Sequence, residues 1–126
     1  MTRIVQVAQR AVDLERARDF YSALLDIAPT AEFRPPGLVF FDLGGVRLLL
    51  DEGAPSALIY LGVPDLDAVV ARCRRDGVEV VRDPHVIFSH TDDTLGPAGT
   101  DEWMAFLKDS EGNTIGLISH HKPETS

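Results

Sequence analysis

The sequence predicts an α+β domain assembled from two βαβββ modules. Three observations predict it: two capped amphipathic helices in matching positions, a glycine-turned hairpin late in each half, and a size and composition that suit one core. The 126 residues are 44% hydrophobic and 25% charged, the ordinary range for a single globular domain. At that length folding buries roughly two-thirds of the surface the unfolded chain exposes, so a core forms without disulfide or metal staples. Cys73 is the single cysteine; it can form no intramolecular disulfide or cysteine-rich zinc site, and its place on a helix stripe reads as core.

Residues 4–11 read as a first strand. Behind the candidate cap Asp13, the side chains of Leu14, Ala17, Phe20, Tyr21, Leu24 and Leu25 recur at helical spacing, so residues 14–25 form a helix with one buried stripe. A short strand is expected around 31–34. After the Pro35-Pro36-Gly37 punctuation, residues 38–43 turn at Gly44-Gly45 into 46–50, a hairpin signature. Residues 51–56 read as a linker. A strand over 57–63 then leads to a second helix with Asp65 as cap, a stripe of Leu66, Val69, Val70 and Cys73, and Gly77 as stop signal. A short strand over 78–81 and a hairpin, 103–107 and 114–118 around Asp109-Ser110-Glu111-Gly112, complete the second half. Residues 122–126 read as a frayed tail.

From Asp13 to Asp65 is 52 positions, whereas from Asp42 to Asp109, and from Gly45 to Gly112, is 67. The difference implies a 15-residue insertion in the second half, within the stretch 85–100. The chain is therefore expected to be one domain over 1–126, with modules at 3–51 and 57–119. Neither module can bury its sheet face alone, so the two should pair into one body with helices outside.

A net charge of −8, from 12 basic and 20 acidic residues, argues against nucleic acid, whose phosphates need a Lys/Arg surface. It permits a cationic ligand. No apolar run approaches the roughly 18 residues of a membrane span, and the first residues lack the pattern of a signal peptide. The expectation is a cytoplasmic protein with no membrane partner. No phosphate loop, Rossmann fingerprint or Ser-His-Asp arrangement is present.

The segment Asp-Leu-Glu-Arg-Ala-Arg-Asp-Phe-Tyr at 13–21 and the closing hairpin Ala-Phe-Leu-Lys-Asp-Ser-Glu-Gly-Asn-Thr-Ile at 105–115, set in duplicated βαβββ modules, resemble the vicinal oxygen chelate superfamily. Glyoxalase I, the bleomycin and fosfomycin resistance proteins, methylmalonyl-CoA epimerase and extradiol dioxygenases belong to it. The resemblance runs from about residue 3 to about residue 119 and speaks for fold more than for activity. It implies a curved mixed sheet around a cleft, a homodimer, and a divalent metal held by residues of the first and last strands of the modules. Carried over one at a time, those ligand positions fall on Gln6, Leu49, Leu58 and Gly116. Only Gln6 carries a ligand atom, and a divalent ion needs about three protein donors. The expectation is no metal in the family's position and no cofactor.

Counted from those positions, strand alternation adds Arg10, Arg47 and Tyr60 to Gln6 in the cleft, and Trp103, as an aromatic that could stack on a flat ligand, completes the ligand-binding candidates. Arg10 matches the position where glyoxalases carry an arginine that holds a glutathione carboxylate, and a guanidinium is a good bidentate anion anchor. The opposing reading pairs Arg10 and Arg47 with Asp42 or Asp51, and treats the aromatics as core. In the insertion, His85 and His90 stand near Asp92, Asp93, Asp101 and Glu102. A histidine beside carboxylates can move protons near neutral pH, so His85 and His90 are the catalytic candidates. The same loop could act as a lid, assemble a new metal site, or be only a solvated loop. His120 and His121 read as part of a solvated end. Two functions remain: a metal-free module that binds a small organic molecule, like the bleomycin resistance proteins, or a metal-independent lyase or isomerase in which Arg10 holds an anionic substrate and His85 or His90 transfers a proton.

Overall fold

A computed structural model describes residues 1–123; positions 124–126 of the expected tail lie outside the described residues. The first module runs β1 (Gln6–Arg10), α1 (Leu14–Leu25), β2 (Ala31–Phe33), β3 (Leu38–Leu43) and β4 (Val46–Asp51). The second repeats the order as β5 (Tyr60–Gly62), α2 (Leu66–Arg75), β6 (Val80–Ser89), β7 (Asp101–Lys108) and β8 (Thr114–His121). Each module makes a four-stranded mixed sheet, β1-β4-β3-β2 and β5-β8-β7-β6. In both, the first strand pairs in parallel with the last and the other ladders are antiparallel.

The chain falls into two compact units. The first is Met1–Ala57 with Asp109–Asn113; the second is Leu58–Lys108 with the described residues from Thr114 on. The turn of the second hairpin thus belongs to the first unit.

Local chemistry explains the elements. Asp13 accepts from the Arg16 N–H at 3.1 Å and Asp65 from the Ala68 N–H at 3.1 Å, each satisfying an orphan donor of a helix start. Gly44 and Gly45 close the β3–β4 hairpin with φ of 64° and 91°, the left-handed pair that a two-residue turn requires. In the first unit Leu14, Ala17 and Tyr21 of α1 are buried, as are Val39, Phe41, Leu48 and Leu50 on one side of the sheet. In the second, Leu66, Val70 and Cys73 of α2 are buried, with Ala105, Leu107, Ile115 and Leu117. Each large side chain so buried contributes roughly 1.5–3 kcal/mol.

Three expectations need correction. The strand expected over 78–81 is the ten-residue β6, so the insertion lengthens a strand and only its remainder, from His90 to Thr100, is a loop. Pro84, a residue type that commonly ends strands, lies inside β6. It is tolerated because β6 is the edge of its sheet, where a missing N–H breaks no ladder, and register shifts flank it. The strand expected over 57–63 is confined to Tyr60–Gly62. The hairpin strands expected to end at 118 run on to His121, so His120 and His121 are strand residues.

Within the first unit, the turn Asp109–Asn113 is bonded on several sides. Asp13 N–H donates to Glu111 at 2.6 Å, and the Arg16 guanidinium donates to the same carboxylate at 2.7 and 3.2 Å. Burial alone would raise the Glu111 pKa, but Arg16 first, then the Asp13 N–H and the Ser110 hydroxyl, hold it below the ordinary carboxylate value. A carboxyl depressed on folding contributes stability that is present above its unfolded pKa, about 4.3, and is lost as pH falls through the folded value. Glu111→Gln should therefore lower the melting temperature at pH 7 and leave it nearly unchanged at about pH 2, a difference that thermal melts across that range would reveal. Equal losses at both pH values would assign the contact no ionic character.

Candidate functional site

The face of the second sheet turned away from α2 can be read from its register. Tyr60, Gly116 and Phe106 share one row, Gly62, Ile118, Met104 and His85 the next, and His120, Glu102 and Phe88 the one after. Residues paired across a ladder point the same way. Tyr60 is 48% exposed, and its ring meets Phe106 edge to face at 6.1 Å. Trp103 pairs with Ser119, and by alternation it belongs to the opposite, α2-covered face. There it lines a depression of about 480 Å³ with Asp65, Leu66, Asp101 and His121. Tyr60 and Trp103 are therefore not brought together.

On the first sheet, Gln6, Arg47 and Asp42 form one row and Arg10, Asp51 and Leu38 another, on the face opposite the buried Leu48 and Leu50. Gln6, Arg10 and Arg47 are all exposed. The Arg47 guanidinium lies 5.9 Å from the centroid of Phe40, a cation–π arrangement. Among the described residues neither Arg10 nor Arg47 is in an ion pair, although Asp51 and Asp42 stand across from them in register. Gln9, which the sequence reading passed over, is fully buried. Its amide donates to the Ala57 carbonyl at 2.7 Å and accepts from the Ala57 N–H at 2.8 Å, so it clamps the end of the linker.

The two histidine candidates part company. His85 is half-buried on β6, and its Nδ1 donates to the Asp83 carbonyl at 2.9 Å. His90 follows β6 and its side chain is 2% exposed, with Nε2 2.9 Å from Glu102 Oε1. His120, 31% exposed, brings its own Nε2 to 3.0 Å from the same oxygen. Of the four carboxylates named beside the histidines only Glu102 meets His90, and His120, expected in a solvated end, joins them. Asp92 and Asp93 instead cap backbone N–H groups of the loop, at Thr94 and Ala98, and Asp101 accepts from the Ser89 hydroxyl. The loop's neck is closed by His90 N–H to Thr100 O and Gly99 N–H to His90 O, both at 2.8 Å. It is a structured segment.

The metal implied by the resemblance does not fit its expected position. Leu49 and Leu58 offer no donor atom. At Gly116 a Cβ would lie 2.6 Å from Tyr60 Cδ1 and 2.9 Å from Cε1, so the space a carboxylate would enter is taken by an aromatic ring.

Two βαβββ modules with their parallel first and last strands define a protein of the vicinal oxygen chelate fold. The sequence model of the Glyoxalase/Bleomycin resistance protein/Dioxygenase superfamily matches residues 3–117, and the chain belongs to that superfamily. Among solved structures, the lactoylglutathione lyase of Agrobacterium tumefaciens is similar at 21% identity and TM-score 0.70, over 94% of each chain. TnmS3, an antibiotic binding protein from Streptomyces sp. CB03234, is similar at 21% identity and TM-score 0.68, over 96% of this chain and 98% of its own. At such identities the likeness concerns the fold. No curated protein matches the chain in sequence. No helix among the described residues is long and apolar enough to cross a membrane.

Proposed function

We propose that this chain is a small-molecule-binding member of the superfamily that uses no metal at the family's customary position. The observation that carries the reading is Tyr60 lying in the space of the missing carboxylate at Gly116: an aromatic surface stands where a ligand to metal would be. That row, with Phe106 beside Tyr60 and Met104 in the next, suits a flat or apolar ligand by stacking and area burial. Arg10 and Arg47, without acidic partners among the described residues, suit an anionic group. TnmS3, which binds an antibiotic, lends the fold a precedent for binding. Flat aromatic compounds and small carboxylates, each screened separately by thermal shift and calorimetry, test the two halves of the reading. A carboxylate that binds is expected to lose about tenfold in affinity in Arg10→Ala, the scale of one charge-assisted hydrogen bond. Equal affinity of wild type and variant would remove Arg10 from the ligand's anchors.

The lactoylglutathione lyase of the same fold, together with the His90–Glu102 contact, supports a second reading as a metal-independent lyase or isomerase. In that reading the exposed His120 and the half-buried His85 are better placed to reach a substrate than the buried His90. Exchange of His85 and His90 for glutamine should then abolish turnover of whichever substrate is found, while binding persists.

A further inference from the structure

We propose that His90, Glu102 and His120 form a divalent-metal site of the zinc class, distinct from the family's metal position and independent of the ligand-binding reading above. One ligand atom from each residue lies within 4.8 Å of the others, with both imidazole Nε2 atoms at 2.9 and 3.0 Å from Glu102 Oε1. A tetrahedral ion with bonds of about 2.0–2.1 Å holds its ligand atoms roughly 3.3 Å apart. Widening the two N···O spacings by a few tenths of an ångström, with the two imidazole nitrogens set at a similar spacing, therefore places all three donors on one ion, which takes the place of the two N–H hydrogens now directed at the carboxylate.

Donor type selects the metal. Two imidazoles and one carboxylate suit Zn²⁺ and its first-row neighbours, whereas Mg²⁺ and Ca²⁺ prefer sites built of oxygen. Two histidines and a glutamate also make a three-ligand set that leaves a fourth position for water or a ligand oxygen.

The surroundings are built to hold the triad. Glu102 and His120 are direct partners on β7 and β8. His90 is anchored by both of its backbone hydrogen bonds to the loop neck, and its ring packs against Phe88 at 4.8 Å and 71°. The gradient from buried His90 to exposed His120 leaves one side open to solvent. Most telling is Gly96. A Cβ there would lie 2.9 Å from His90 Nε2 and 3.0 Å from His120 Nε2, so the direction in which a side chain would project is the space both donor atoms can reach. Glycine keeps that space clear. On β8 the triad's His120 shares a face with Gly116 but stands four residues, roughly 13 Å, further along the strand, so this is a different site from the one the family uses.

Metal-stripped protein titrated with Zn²⁺ by calorimetry, and with Co²⁺ by visible absorption, tests the proposal. Wild type should bind one equivalent and give the intense bands of a low-coordinate cobalt site. His120→Ala and Glu102→Gln should each weaken Zn²⁺ at least about 100-fold, beyond the 10–100-fold typical of losing an outer-shell partner. Gly96→Ala should weaken it as well. His121→Ala, next in sequence but on the opposite face, should stay within about threefold of wild type. Circular dichroism establishes that each variant is folded. Absence of one-equivalent binding in wild type, a change of less than threefold in His120→Ala, or an equal loss in His121→Ala would each overturn the site.

Discussion

Asp109→Ala is expected to destabilise the protein by about 3–5 kcal/mol, because one small side chain satisfies four donors. Oδ1 accepts from the N–H groups of Glu111 and Asn113 at 2.8 and 2.9 Å, and Oδ2 accepts from the Tyr21 hydroxyl at 2.5 Å and the Asn113 amide at 2.8 Å. Tyr21 is fully buried and Asp109 is 6% exposed. Burial first, and then the Asp109 carboxylate, push the Tyr21 phenol far above its ordinary pKa, so it remains a donor at any working pH. Deleting the carboxylate leaves that hydroxyl, the turn's two N–H groups and an amide without their acceptor. The Asn113 amide also donates to the Arg10 carbonyl at 2.8 Å, so loosening it disturbs the end of the strand that carries Arg10. Chemical denaturation measures the loss directly. Tyr21→Phe, which removes one of the four donors and keeps the ring, should cost about 1–2 kcal/mol. The double variant should cost less than the sum of the two changes, since they share a contact. A loss below about 1 kcal/mol for Asp109→Ala would mean that water replaces the carboxylate freely.

The second large effect concerns Gly116, the position that the family resemblance assigns to a metal-binding carboxylate. Gly116→Glu is expected to destabilise by about 3 kcal/mol, through overpacking and the burial of a charge. The added Cβ would sit 2.6 Å from Tyr60, and Phe106 Cε1 is 3.4 Å away on another side. Gly116 itself is buried. Tyr60 can be relieved only by turning its ring out, which breaks its edge contact with Phe106. Removing the obstruction should restore tolerance: in a Tyr60→Ala background the same glutamate should cost less than half as much. If Gly116→Glu alone stays within about 0.5 kcal/mol of wild type, the ordinary range of a surface change, the Tyr60 ring is no barrier to a carboxylate there.

Much of the fold was legible in the sequence because its signals are local. Asp13 and Asp65 announce helix starts by their short acceptor side chains, and both cap as expected. Gly44 and Gly45 announce a turn that only positive φ can make. The extent of β6 was not legible, since Pro84 has the same local meaning in a loop and in an edge strand; only the sheet's order tells which edge is free. Trp103 was placed with the ligand-facing residues, yet alternation from Gly116 puts it on the α2 side. That is parity, and it was open to sequence reasoning. So was the pairing of Glu102 with His120: counting six residues outward from Lys108 and Thr114, which flank the turn, sets them opposite each other. His90 could not be reached this way, because three register shifts separate it from any count along β6.

By itself, then, the sequence determined the duplicated βαβββ architecture, the helix caps, the turns and the absence of donor atoms at Leu49, Leu58 and Gly116, all consequences of residue type and near-neighbour spacing. The tertiary structure alone decided that His90 closes on Glu102 and His120 beneath Gly96, and that Tyr60 fills the space above Gly116. Those contacts depend on bulges and on loop closure, which bring together atoms far apart in the chain, and no local periodicity encodes them.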